Sequence, residues 1–298
     1  HSMGGGAEKY LSDRIADYLR EGEGAVVLRV GGAKRWTLEA HLPAGCISGA
    51  TDDLEFIKRL VSQLPHLKIV YSDAVGDPDP VALPSVILAL KEAADTASLD
   101  VLFHDFFPLS PSYTLLDGDG VFRGPVEAER GDAAHVSRRP DGTLVTLSCW
   151  RAAWSPLLHS AERVVVFSQD SRSHVLRVYP ELAKKLRVEP HRMPQMPRLV
   201  RSKPNASERS GVRGNIGRQK GAKVVQDLAA LSAAEPELGL VVIGNVDPAF
   251  PLPGHVPVTG NYHVEDISTL AEKHQITRWL IPSVWPETYS FPTHEALA

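Results

Sequence analysis

At 298 residues the chain has room for two domains of ordinary size, and 43% hydrophobic with 23% charged residues is a globular composition, not a disordered one. A formal net charge of −4 leaves no basic footprint for nucleic acid, so no nucleic-acid partner is expected. Two cysteines, Cys46 and Cys149, make neither a disulfide framework nor a zinc site, and no apolar run reaches the roughly 18 residues of a membrane span, so the expected compartment is the cytoplasm.

The chain opens at a loop-to-helix transition and stops a few residues into a helix, which predicts a fragment of a longer protein. Gly4, Gly5 and Gly6 lead into a helix over 7–20, where Tyr10, Leu11, Ile15, Tyr18 and Leu19 recur at helical spacing. A glycine-rich turn at a helix start lets backbone N–H groups approach an anion, and it is equally the composition of a flexible terminus. A β-rich run at 26–30 is followed by an irregular stretch to residue 49, a helix over 52–64, a strand at 67–71 and a helix over 81–94. Asp77 and Asp79 lie in the loop before that helix. A strand at 101–103 ends in His104, at the C-terminal strand edge where parallel sheets bind ligands; a core or capping histidine is the plainer alternative.

Asp117-Gly118-Asp119-Gly120 has the D-x-D form of a metal-binding pair, but Leu115-Leu116 and Val121-Phe122 around it favour a tight hairpin turn. A polar loop at 131–142 precedes a strand at 144–147, a helix over 150–161, a strand at 163–167 and a helix running from Ser168 to about residue 185. The proline breaks of 190–204 read as a linker, giving domains at 1–192 and 193–298. Basic residues dominate between 172 and 220, as a solvated helix face, a lure for an anionic ligand, or a peripheral contact with an anionic membrane surface.

In the second half, Gly214-Asn215-Ile216-Gly217-Arg218-Gln219-Lys220-Gly221 precedes a helix over 222–231. Glycines that let the backbone close on a ligand, with a lysine at a helix start, are what a diphosphate requires. The polar run 206–213 stands where a buried strand should lead in. Strands follow at 238–244 and 256–260, then a helix over 266–274 and a short apolar run at 279–281. The closing segment, IPSVWPETYSFPTHEALA, carries Glu287 in a loop, Ser290 as a cap, Pro292 at a first helical position and Glu295 in the first turn. Two carboxylates at one helix N-terminus suit sugar hydroxyls as that terminus suits phosphate, so the combination points to a nucleotide sugar.

The spacing Glu287-x7-Glu295, with the loop at 214–221, resembles the E-x7-E and GRL-x-x-EKG signatures of GT-B glycosyltransferases of the retaining, family 4 (group 1) type. The resemblance extends to Gly5, Gly6 and Glu8, which match a GG-x-E loop, and to His104, which matches an HDY-x-x-x-CP segment. It implies an α/β GT-B fold, two Rossmann-like domains with parallel sheets facing across a cleft, the first for the acceptor and the second for the donor. It further implies Glu287 and His104 at the donor sugar, Glu295 at the ribose, and Lys220 at the diphosphate. Gly5, Gly6, Asn215, Gly217, Arg218, Tyr289, Ser290 and Phe291 complete the implied donor site. Thr288 and Ser290 replace usual glycines, and Asn215 replaces the usual arginine. The implied reaction moves a sugar from a nucleotide-sugar donor to a glycan or lipid-linked acceptor, with retention, no metal and no cofactor. A sugar-nucleotide epimerase, a phosphorylase and a non-catalytic sugar-nucleotide-binding module are the alternatives.

Overall fold

The computed structural model describes residues 6–128, 132–193, 196–198, 209–235 and 238–297. The chain divides into two compact units, 1–191 and 192–298.

The first unit starts with α1 (Gly6–Arg20) and an antiparallel meander of β1 (Ala25–Arg29), β2 (Trp36–Leu42) and β3 (Gly45–Thr51), with Val27 opposite Glu39 and His41 opposite Cys46. The expected irregular stretch is therefore sheet. Its residues hid the signal because β3 is exposed almost throughout and carries no buried face to impose a period of two. Arg29 ties the meander to α1, pairing with Glu39 at 2.8 Å and Glu8 at 2.9 Å.

Then come α2 (Leu54–Val61), capped by Asp53, β4 (Leu67–Tyr71), α3 (Leu83–Ala93), β5 (Ala97–Leu102), the short hairpin β6 (Ser137–Arg138) and β7 (Leu144–Val145), and α4 (Leu147–Ser160), capped by Thr146. The strand expected at 144–147 thus has only two residues, because the Thr146 cap starts the helix there. Last are β8 (Arg163–Val166), α5 (Gln169–Val178), capped by Ser168, and β9 (Leu186–Val188). The helix expected to reach residue 185 stops at Val178, and Pro180, which has no N–H to continue it, opens a separate 3-10 turn over Pro180–Lys184. Strands β4, β5, β8 and β9 form one parallel sheet in the order β4-β5-β8-β9. Trp150, Trp154, Phe103, Phe106 and Leu99 are fully buried in this unit.

The acidic loops are occupied by structure. Asp117 Oδ1 accepts from the N–H groups of Asp119 and Val121, and Oδ2 accepts from Arg123 Nε at 2.7 Å. Leu116 and Phe122 bridge across it, so this segment is the expected turn. Asp77 accepts from Arg35 and from the Asp79 N–H, while Asp79 pairs with Arg139 at 2.7 Å.

The second unit is built from β10 (Arg209–Ile216), α6 (Ala222–Ala234), β11 (Gly239–Val246), α7 (Ile267–Lys273), β12 (Arg278–Leu280) and α8 (Phe291–Leu297). Its parallel sheet has the order β11-β10-β12. The expected strand at 256–260 contributes only a bridge from Val258 to Val242. Val212, Ile216, Val225, Ala229, Leu240 and Val242 form one core layer, and Val241, Ile243, Ala271 and Ile276 the other.

Residues 209–213 of the polar run that was to lack a strand belong to the central strand, while 206–208 lie outside the described residues. Two features allow it. Gly211 leaves space for its neighbours, since a Cβ there would lie 2.7 Å from the Trp279 ring. Arg213, buried on the same strand, has its charge met by Glu295. Because the strand continues to Ile216, the presumed loop of eight residues shortens to 217–221.

Candidate functional site

In the second unit, two loops leave neighbouring C-terminal strand ends, 217–221 after β10 and the segment 281–290 after β12. They are joined tightly. Gly221, at φ +80°, caps α6, and a Cβ on it would overlap the Pro282 carbonyl oxygen. The Val284 N–H donates to the Gln219 carbonyl at 3.0 Å. Glycine is needed here both for the left-handed backbone and for the close approach.

This junction brings Lys220 and Glu287 together, with Nζ 2.5 Å from Oε1 and the Glu287 side chain only 9% exposed. Ser283 Oγ donates to the same Oε1. Glu287 Oε2 is buried with no hydrogen-bond partner among the described residues. Lys220 Nζ lies 6.0 Å from the centre of the Trp285 ring, near the reach of a cation–π contact. The result is a partly neutralised ammonium beside an oxygen that still wants a donor, next to a flat apolar ring. Such a set can take an anion on one side and a hydroxyl on the other.

Glu295 behaves differently from the expectation. Helix α8 begins at Phe291, so Pro292 is its second residue and Glu295 its fifth, one residue further along than expected and past the first turn. The two carboxylates do not share the helix N-terminus; each meets its own cation. Glu295 Oε2 is 2.5 Å from Arg213 Nη1, Arg213 Nη2 donates to the Pro292 carbonyl at 2.7 Å, and the guanidinium lies 5.6 Å from the Trp279 ring centre. The Arg213 side chain is 1% exposed. Arg213 was missed in the sequence because a charged residue inside a polar run gives no sign that it is buried.

The other implied donor residues fall around this core. Ser290 Oγ accepts from the Thr293 N–H at 3.4 Å and from Thr293 Oγ1 at 2.8 Å, a helix cap. Tyr289 stacks on His294, with ring centres 4.6 Å apart, and packs edge-on against Phe291. Gly217 accepts from the Ala222 N–H and Arg218 is exposed beside it. Asn215 sits on β10, where its side-chain oxygen accepts from Asn245 Nδ2 at 3.0 Å. Asn245 and Ser283 also escaped the sequence reading.

His104 and Gly6 belong to the first unit, and Gly5 lies outside the described residues. Gly6 is the first residue of α1. His104 follows β5; its Nδ1 is 3.0 Å from Ser72 Oγ, and its ring packs among Tyr10, Phe167 and His191 at centre distances of 4.9, 4.6 and 5.3 Å. Burial pushes the His104 imidazole down to about 3 and that of His191 to about 4, so both rings are neutral at pH 7. Next to it, burial and then the like charge of Asp73 push the Asp105 carboxyl up to about 8.

That carboxyl gives a pH prediction. Below about pH 4 the folded and unfolded chains both hold its proton; from there to about pH 8 only the unfolded chain ionises, so stability falls as pH rises. Asp105→Asn keeps an oxygen for the Phe107 N–H, which Asp105 Oδ1 now accepts at 2.9 Å. The melting temperature of the variant relative to the original protein is expected to rise steadily between pH 4 and pH 8. Parallel curves would mean that Asp105 ionises normally.

No family model matches the chain, and a search of curated proteins finds no match. Solved structures that it resembles include the GtfA/B complex, at 9% identity and TM-score 0.39 over 76% of this chain and 40% of that one. The catalytic domain of starch synthase IV from Arabidopsis thaliana, bound to ADP and acarbose, matches at 12% identity and TM-score 0.41 over 92% and 69%. An S. aureus TarM mutant in complex with fondaparinux, alpha-GlcNAc-glycerol and UDP matches at 8% identity and TM-score 0.34 over 82% and 40%. The chain therefore spans 40% of the length of the first and third. What the structure itself establishes is a mixed α/β chain with parallel sheets. Among the described residues no helix is long and apolar enough to cross a membrane.

Proposed function

We propose that the chain is the core of a GT-B-type glycosyltransferase, which moves a sugar from a nucleotide-sugar donor to a glycan or lipid-linked acceptor. The observation that carries this reading is the Lys220–Glu287 contact: two segments 67 residues apart in sequence, each singled out by its own motif, meet in one place. In this reading Lys220 and Arg218 neutralise the leaving diphosphate without a metal, Glu287 Oε2 receives a sugar hydroxyl, and Glu295 holds the ribose. The reacting sugar keeps its anomeric configuration. Positioning and leaving-group stabilisation supply the rate, as expected where charge develops on a diphosphate. The first unit takes the acceptor side, with its His104 assigned to the donor sugar.

The test is calorimetry with nucleoside diphosphates. Lys220→Ala is expected to weaken binding by about 1.5–3 kcal/mol, the range for a hydrogen bond to a charged group, with the fold unchanged by circular dichroism. Unchanged affinity for every nucleoside diphosphate would remove Lys220 from the site and the reading with it.

A further inference from the structure

The chain contains four asparagines, and three of them stand side by side at one sheet edge. Each follows a glycine in the left-handed half of backbone space: Gly214 (φ +117°) before Asn215, Gly244 (φ +130°) before Asn245, and Gly260 (φ +78°) before Asn261. The three Gly-Asn pairs are in register. Gly214 and Asn215 oppose Gly244 and Asn245 across β10 and β11, and the Gly260 N–H donates to the Gly244 carbonyl at 2.9 Å, which brings Asn261 alongside. The backbones approach so closely that a Cβ on Gly244 would overlap the Gly214 carbonyl oxygen.

The amides form a chain. Asn245 Nδ2 donates to Asn215 Oδ1 at 3.0 Å and to Asn261 Oδ1 at 2.7 Å, so both of its N–H groups are used. Asn215 Nδ2, Asn245 Oδ1 and Asn261 Nδ2 have no partner among the described residues, one donor on each side of one acceptor. The row carries no charge, lies at the same C-terminal edge of the sheet as the 217–221 loop, and has exposed residues at both of its ends. An uncharged donor–acceptor–donor row does not suit a phosphate. It suits a flat ring whose edge offers acceptor, donor and acceptor.

We propose that Asn215, Asn245 and Asn261 read the nucleobase of the ligand, and that they select the imide edge of uracil or thymine. The two carbonyl oxygens of that edge accept from Asn215 and Asn261, and its ring N–H donates to Asn245. Cytosine, adenine and guanine each present at least one group of the wrong sense to this row. The inference rests on the donor-site reading given above, and it reassigns Asn215 from the diphosphate to the base.

The experiment is a calorimetric comparison of the uridine, thymidine, cytidine, adenosine and guanosine diphosphates, on the original protein and on Asn245→Ala, Asn261→Ser and Lys220→Ala. The uridine and thymidine forms are expected to bind roughly tenfold or more tighter than the other three, as mismatched buried or half-buried polar groups cost about that much. Asn245→Ala is expected to level the five affinities while leaving weak diphosphate binding, and Asn261→Ser, on an exposed loop, to narrow the preference without touching the sheet. Lys220→Ala is expected to weaken all five alike and keep their order. Equal affinities in the original protein, a preference for another base, or a uracil preference that survives both asparagine variants would overturn the inference while diphosphate binding through Lys220 stands. Binding of none of the five would overturn both readings.

Discussion

Arg213→Ala should cost the second unit about 3–5 kcal/mol, the range for removing one partner of a buried ion pair and stranding the other. Arg213 is 1% exposed and Glu295 10%, so neither charge has water to fall back on. The same side chain also donates to the Pro292 carbonyl, so its loss frees α8 at two points. Against a typical domain stability of about 5–15 kcal/mol, this is enough to populate the unfolded unit. Urea unfolding should show the midpoint of that unit falling sharply. The double variant Arg213→Met with Glu295→Gln should recover a large part of the loss, because no charge is then left buried. A double variant no better than the single one would show that the cost lay in packing around Trp279.

Gly221→Ala should also have a large effect, by a different route. The left-handed backbone at φ +80° costs a residue with a Cβ about 1–2 kcal/mol. Overlap with the Pro282 carbonyl adds about 1–3 kcal/mol, as overpacking does elsewhere, because the obstacle is backbone and cannot rotate away. The segment at 282–287 has to retreat from the 217–221 loop, so nucleoside-diphosphate binding should fall together with stability. By contrast, Gly22→Ala meets the same left-handed backbone with nothing within reach of its Cβ, and it should show the conformational cost alone. Equal losses at the two positions would mean that the close approach to Pro282 contributes nothing.

How much of this was legible in the sequence depended on whether a residue's neighbours were local. The caps at Asp53, Thr146, Ser168 and Ser290 follow from short-range rules, and the helices they begin start within a few residues of expectation. Turn chemistry at Asp117 was equally local. The meander at β2 and β3 was not, because β3 is exposed and β2 is half-buried along most of its length, so neither strand carries the alternation that one buried face stamps on its residues. Strand β10 failed for the opposite reason: Arg209, Ser210 and Arg213 look like surface, and only partners 65 to 82 residues downstream hold them in the sheet, with Arg213 buried and the other two half-buried. The loop motifs named Lys220 and Glu287 separately, while their direct contact required the fold. The Gly-Asn pairs were visible as letters all along, and only strand register turned three scattered dipeptides into a row.

The pairing of Lys220 with Glu287 also makes the site its own competitor. An anion arriving at that ammonium does not find a vacant charge; it has to displace a carboxylate that the fold holds against it, whose effective concentration is on the order of millimolar or higher. A lone phosphate or chloride ion offers Glu287 nothing in exchange and is turned away by that tether. A ligand that brings an anion and, at the right distance, a hydroxyl for the displaced carboxylate satisfies both partners at once. Selectivity against the abundant simple anions of a cell then comes from an occupant that is part of the chain.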